Sequence, residues 1–192
     1  MKREAFVTTR QAANLLNVSL RTIQLWTESG VLSAWKTAGG HRRVSSQSVE
    51  KMRREQYQAT HATAEERNVA IVIVEDDPLY RELYQLKIAA WGLPTVTLTA
   101  NDGFEALLTI GRLAPQIVIT DLGMPGMDGF QMIRSLQESS TKLEVIVITG
   151  LSDREIERAG GLPESVKLLK KPAPLSELEV LLRAKVAELE SS

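Results

Sequence analysis

The sequence predicts an α/β protein: a five-stranded, doubly wound parallel sheet in the larger C-terminal part, preceded by a small helix-turn-helix domain. Three observations carry this. First, four apolar β-branched runs recur, at Ala70–Val74, Gln116–Thr120, Val145–Ile148 and Val166–Lys170, with helical patterns between them. Such runs read as parallel strands covered on both faces. Second, a weaker run at Thr95–Leu98 makes the strand–helix alternation fivefold, and repeated right-handed crossovers then give a doubly wound sheet. Third, two short helical patterns near the N-terminus are joined by a turn tight enough for a helix-turn-helix.

In chain order, Thr8-Thr9-Arg10-Gln11 is a capping-box pattern with either threonine at the cap, and Ala12, Ala13, Leu15 and Leu16 line the apolar side of the helix it opens. Asn17-Val18-Ser19 makes the turn, and Ser19 caps a helix from Leu20 to Glu28 that Gly30 ends. Ile23 and Trp26, three apart, share one side of that helix. Gly39-Gly40, between Trp35-Lys36 and His41–Val44, is a hairpin signal. Trp26 and Trp35 are both expected in the core of this small domain. A further helix starts near Ser46. Residues 1–56 are read as one domain, the polar stretch 57–68 as a linker or a frayed helix end, and 69–192 as the second domain. In that second domain the expected helices are 78–91, 102–113, 129–139, 152–159 and 175–189.

The charges divide along the same boundary. The chain holds 23 basic and 24 acidic side chains, but residues 1–60 carry ten basic against four acidic, leaving the remainder at −7. A basic head on an acidic body is expected to place a polyanion at the head alone. The absence of cysteine excludes disulfides and thiolate metal sites. No apolar stretch approaches the ~18 residues of a membrane span, and no charged-then-apolar leader opens the sequence, so the expectation is a cytoplasmic protein without membrane partners.

The chemistry-bearing residues follow the strands. Glu75-Asp76-Asp77, Asp121, Thr149 and Lys171-Pro172 each end one, and in an open parallel sheet the carboxyl ends of the strands form the binding edge. Three carboxylates in one pocket repel unless a cation joins them, and Mg2+ with its oxygen shell suits Glu75, Asp76 and Asp121. A carboxylate that attacks a phosphoryl group needs that neutralisation, with Lys171 as a point charge and Thr149 as a hydroxyl for phosphoryl oxygens. Gly123 offers a backbone carbonyl to the metal. Pro172 fixes the turn after Lys171, with a cis peptide expected between them. Taken singly, each residue has a plainer reading as a cap, a turn or a solvated lysine; in this order and spacing they argue together.

In the head, the second helix of a helix-turn-helix turns its N-terminal part to the major groove, here Ser19, Arg21, Thr22 and Gln24. Arg21 could donate to guanine in bidentate fashion and Gln24 could pair with adenine. The hairpin tip offers Arg42 and Arg43 to phosphates or a minor groove, with His41 a turn residue or phosphate contact and Arg10 one more basic contact.

Thr9-Arg10-Gln11-Ala12-Ala13, Val18-Ser19, Thr22-Ile23, Trp26, Gly30-Val31-Leu32 and Gly39-Gly40-His41-Arg42-Arg43 together resemble the winged helix-turn-helix heads of the MerR and excisionase class. That resemblance implies binding to double-stranded DNA. MerR regulators continue into a long dimerising helix, whereas a second domain follows closely here, so dimerisation has to come from elsewhere or the heads bind direct repeats side by side. Residues 69–189 resemble the flavodoxin-like receiver domain of two-component response regulators, through Val74–Pro78, Asp121–Gly129, Thr149-Gly150 and Lys170-Lys171-Pro172. The resemblance implies that Asp121 is the phosphoacceptor. It makes Asp76 and Asp121 direct metal ligands, with Gly123 through its carbonyl and Glu75 through water. Thr149 becomes the switch hydroxyl and Lys171 the phosphate-binding amine. A sensor histidine kinase or phosphotransfer protein is the implied donor and a homodimer the implied assembly. Receivers commonly carry an aromatic switch residue three positions before that lysine; here Leu168 stands there. The alternative is a regulator that ignores phosphorylation and uses a pseudo-receiver as a dimerisation or docking platform. An aspartate-based phosphatase fits less well, because Gly123 occupies the place of its second acid, and the chain is expected not to be an enzyme.

Overall fold

The computed structural model describes residues 5–37, 40–60, 68–138, 143–172 and 175–191, which form two compact units. In the first, β1 (Phe6–Thr8), α1 (Thr9–Leu16), α2 (Leu20–Glu28), β2 (Ala34–Lys36), β3 (Arg42–Ser45) and α3 (Ser46–Thr60) follow one another. Thr8 is the cap of α1: its hydroxyl accepts the Gln11 N–H, and the Gln11 side chain accepts the Thr8 N–H in return. Asn17 ends α1 in the left-handed region at φ 54°, a conformation Asn tolerates better than most residues. Ser19 then caps α2 by accepting the Thr22 N–H at 3.0 Å. Ala12, Ala13, Leu16, Ile23, Trp26, Leu32, Val44, Val49 and Met52 make the core of this unit.

In the head one strand is added and one expectation is corrected. β1 was not legible as a strand; it pairs antiparallel with the far side of β3, giving the order β1-β3-β2. The added strand changes the place of Trp35. Side chains alternate across a strand, so Val7, Val44 and Ala34 share one face while Thr8, Arg43 and Trp35 share the other. Trp35 is accordingly not a core residue; it is 49% exposed and meets the exposed Phe6 ring edge-on at 5.8 Å between centroids. Of the two readings of 57–68, the helix end agrees with the described part: α3 runs Ser46–Thr60, so positions 57–60 are helical, whereas 61–67 lie outside the described residues. Gly39 of the hairpin signal lies outside them too; Gly40 sits at φ +79°, open to glycine without strain.

From Val69 onward the chain alternates strand and helix: β4 (Val69–Val74), α4 (Pro78–Ala90), β5 (Thr95–Ala100), α5 (Gly103–Leu113), β6 (Ile117–Thr120), α6 (Gly129–Gln137), β7 (Glu144–Thr149), α7 (Asp153–Arg158), β8 (Lys167–Lys170) and α8 (Leu175–Glu190). All five strands are parallel in the order β5-β4-β6-β7-β8, the doubly wound sheet expected. Ile71, Ile73, Ile117, Ile119, Ile146, Ile148 and Leu169 form one core with Tyr84 and Ile88 of α4 and Leu178, Leu182 and Val186 of α8. Val72, Val74, Val118, Val145 and Val147, facing the opposite way, are buried as well. Burial on both faces is why these strands read as continuous apolar runs, each fully buried side chain contributing about 1.5–3 kcal/mol. The strand pattern is weakest at β5, an edge strand with Val96 45% exposed.

Ser19 closes the N-terminus of α2 and is itself buried, so Ser19→Ala is expected to lower the head's stability by about 1 kcal/mol, read as a shift in the urea midpoint without a change in slope.

Candidate functional site

The register of the sheet assembles the site. Val74 stands opposite Thr120 on adjacent strands, so the residues that follow, Glu75 and Asp121, emerge side by side. Thr149 stands opposite Lys170, so Lys171 emerges beside Thr149. The ladder continues one step into the loops, where the Asp121 N–H donates to Val74 O at 3.0 Å and the Lys171 N–H to Thr149 O at 2.9 Å. Carboxylate oxygens of Glu75, Asp76 and Asp121 lie within 4.8 Å of one another. The third acid of the opening run, Asp77, is turned away from this group. It caps α4, accepting the Leu79 N–H at 2.8 Å just ahead of Pro78 at the first helical position.

Lys171 ties the site together. Its Nζ donates to Glu75 Oε2 and to Asp121 Oδ2, both at 2.8 Å, and its peptide bond to Pro172 is cis, as expected. Asp121 Oδ1 accepts the N–H groups of Leu122 and Gly123. The loop after Asp121 must lie close to the start of α6: a Cβ on Gly129 would meet the Asp121 carbonyl oxygen at 2.2 Å, so only glycine fits there. Arg81, one turn into α4, donates to the Glu75 carbonyl at 2.6 Å and holds the end of β4.

The charges explain the proton affinities. Burial raises Glu75 above the ordinary carboxylate range, and the hydrogen bond from Lys171 does not bring it back. Burial would raise Asp121 as well, but the hydrogen bonds from Lys171 and from the Thr149 hydroxyl outweigh it and hold the carboxyl below its usual range. Burial would pull Lys171 down; the hydrogen bonds to Asp121 and Glu75 win and push it up. With Asp77 at a helix cap, the ionised pocket holds three carboxylates and one ammonium. The remaining two negative charges match one divalent cation, and the donor set is all oxygen, as a hard cation requires. The residues present therefore fit a bound Mg2+.

Among the residues expected at DNA, Arg10, Arg21, Gln24 and His41 are exposed and Arg43 is half-buried on the outer face of the wing. Ser19 and Thr22 are corrected: both are buried, and their hydroxyls bond to each other at 2.9 Å as part of the α2 cap. Arg42 keeps a side chain that is 23% exposed. It lies within β3 and reaches back to α2, donating to Glu28 at 2.8 Å and Thr27 at 3.3 Å, so it braces the wing against the helix. Sequence reasoning missed Arg81 and Tyr80, whose role depends on the first turn of α4 standing over the pocket. Tyr80 lies with its ring 4.4 Å from Lys171 Nζ.

Comparison with known proteins agrees with this fold. The family model described as a response regulator receiver domain matches residues 71–183, and one described as a helix-turn-helix domain matches residues 6–57. "Response regulator MprA" of Mycobacterium ulcerans is 36% identical over 118 residues, 61% of this chain and 50% of that protein. A "protein-glutamate methylesterase/protein-glutamine glutaminase 5" of Myxococcus xanthus is 32% identical over 110 residues, 56% of this chain and 31% of that protein. The chain thus spans half or less of the length of these curated relatives. Among solved structures, a two component transcriptional regulator AraC from Clostridium phytofermentans superposes with TM-score 0.55 at 26% identity, covering 65% of this chain and 96% of that one. A signal receiver domain from Pseudomonas fluorescens shares the fold at TM-score 0.58 and 22% identity, covering 66% and 100%.

The two displaced carboxyls predict the pH response of the cation site. Glu75, with its raised pKa, takes up a proton first as pH falls, whereas Asp121, with its lowered pKa, keeps its charge longer. Stability linked to Asp121 is present above its unfolded pKa and disappears only as pH drops through the lower folded value; stability linked to Glu75 is gained as it protonates. The rise in thermal midpoint produced by a divalent cation should therefore be large near about pH 8 and shrink toward about pH 5, as measured by calorimetry with and without the cation.

Proposed function

The chain belongs to the response regulator receiver family, and from that premise we propose that it is a DNA-binding response regulator of a two-component system, switched by phosphorylation of Asp121. The observation that carries this reading is Lys171 bridging Glu75 and Asp121 at 2.8 Å beside a third carboxylate. Mg2+, held by Asp76, Asp121, the Gly123 carbonyl and Glu75 through water, would supply charge neutralisation for the incoming phosphoryl group.

The protein's own groups do the rest. The Leu122 and Gly123 N–H groups hold one oxygen of Asp121, orienting the carboxylate for attack. A new bond forms from a carboxylate oxygen to phosphorus as the bond to the donor histidine nitrogen breaks; that nitrogen keeps the electron pair. Lys171 moves its charge from the carboxylate to a phosphoryl oxygen, and Thr149 donates its hydroxyl to another. The donor is a sensor histidine kinase or a phosphotransfer protein. Leu79, Leu83 and Leu86, exposed at helical spacing on α4 directly after the acidic pocket, give such a donor an apolar surface to approach. Phosphorylation then changes self-association at the face formed by α7, β8 and α8, and a homodimer brings two heads onto DNA, where each raises the effective concentration of the other. In each head, Arg21 and Gln24 face the major groove from α2, with Arg10, His41 and Arg43 on the backbone. No described helix is long and apolar enough to cross a membrane.

One observation favours a second reading. Leu168, at the place of the usual aromatic switch, is 38% exposed on β8 and offers no ring to follow the Thr149 hydroxyl inward. In that reading the C-terminal unit is a constitutive dimerisation platform and DNA affinity ignores phosphorylation.

Acetyl phosphate with Mg2+ is expected to label the wild-type chain and not Asp121→Asn; equal labelling of both refutes the acceptor assignment. Arg21→Ala is expected to weaken operator binding by about tenfold in a fluorescence-anisotropy titration, through loss of about 1–3 kcal/mol at one base pair. Unchanged affinity would remove α2 from the groove.

A further inference from the structure

We propose that Tyr80 is a positioning residue for phosphoryl transfer to Asp121: its ring face holds the Lys171 ammonium in the pocket while that ammonium changes partners. The inference rests on Asp121 being the acceptor. An ammonium has three N–H donors. Two go to Glu75 Oε2 and Asp121 Oδ2, and a third side of Nζ faces the Tyr80 ring, 4.4 Å from its centroid. The Lys171 side chain is 15% exposed and Tyr80 is 38% exposed, so the ring stands between the charge and solvent.

The ring is itself held in place. Tyr80 lies on the first turn of α4, which Asp77 caps and which Arg81 ties to the Glu75 and Asp76 carbonyls at 2.6 and 3.4 Å. One turn on, Tyr84 stacks under it with centroids 6.2 Å apart at an interplanar angle of 29°. Tyr84 is 1% exposed and packed in the sheet core, so the lower ring is a fixed floor for the upper one.

This geometry suits the step that Lys171 has to perform. When Asp121 becomes an acyl phosphate, its carboxylate charge is lost and the ammonium must turn to a phosphoryl oxygen. A hydrogen bond is directional and breaks during that movement, whereas attraction to the face of a ring depends on distance and only weakly on rotation. The ring therefore keeps the charge desolvated and attracted throughout. The attraction comes from the ring and not from the phenol hydroxyl, so phenylalanine should replace tyrosine and an aliphatic residue should not. Tyr80 acts through the Lys171 ammonium as it changes partners and not on the donor itself, so the effect belongs in the rate at saturation and not in the half-saturation concentration.

The experiment compares full-length wild type, Tyr80→Phe and Tyr80→Leu with phosphoramidate as donor and Mg2+ present, following phosphorylation to saturation. Leucine is a good helix former and Tyr80 is partly exposed, so the fold should survive the change. Tyr80→Leu is expected to lower the saturating rate by about tenfold with half-saturation unchanged, and Tyr80→Phe to restore it to within about twofold of wild type. The same samples, by NMR, should show the upfield ring-current shift of the Lys171 Cε protons in wild type and Tyr80→Phe and its loss in Tyr80→Leu. Tyr80→Leu phosphorylated as fast as wild type, or Tyr80→Phe as slow as Tyr80→Leu, overturns the assignment of Tyr80 alone. A wild-type chain that is never labelled overturns the acceptor reading and this inference with it.

Discussion

Three carboxylates cannot share one hollow unless positive charge is held among them, and in this protein that charge is the Lys171 ammonium, bonded to Glu75 and Asp121 at the same distance. The fold serves that requirement. Lys171 is fifty residues from Asp121 and ninety-six from Glu75 along the chain, so nothing local brings them together. Only a sheet whose strands all point the same way delivers their ends to one edge, and the continuous isoleucine and valine runs are what make such a sheet stable between two helical layers. Buried charges of this kind contribute little net stability when paired, and removing one partner typically costs about 3–5 kcal/mol because the other is stranded. The pocket is thus a place where the apolar core supports an arrangement that would not form by itself.

Much of this was legible in the sequence because two periodicities do not overlap. Runs such as Ile71–Val74 and Ile117–Thr120 are too short and too β-branched for helices, and the acids stand directly after them. That the sheet is doubly wound followed from the handedness of crossovers, whereas the strand order β5-β4-β6-β7-β8 was not legible in any residue pattern. Tyr80 and Arg81 could not be read in the same way. On the page they are two residues of an amphipathic helix; their role depends on how that helix is rotated above the pocket, which sequence spacing alone leaves open.

The head shows the opposite balance. Its caps, turn and core residues were readable because Thr8, Asn17 and Ser19 act on neighbours a few positions away. Its sheet was not. A three-residue strand before a helix, Phe6–Thr8, carries no periodic signal, and without it Trp35 looks like a residue in search of a core. Likewise Ser19 and Thr22 have the chemistry of base-reading residues, but a hydroxyl that satisfies the first turn of its own helix is not free to read anything else. Arg42 is held by an acid fourteen residues earlier in the chain, a long-range pairing that only the folded wing creates.

β8 has one further property. It stands at the end of the sheet order and pairs with β7 alone among the described strands, so its other side is a sheet edge. A flat apolar ribbon in that position would invite strand-by-strand addition of further molecules and eventual aggregation. The strand is short and reads Lys167-Leu168-Leu169-Lys170, with a cation at each end of the leucine pair. Like charges brought into register across such a border disfavour edge-to-edge growth.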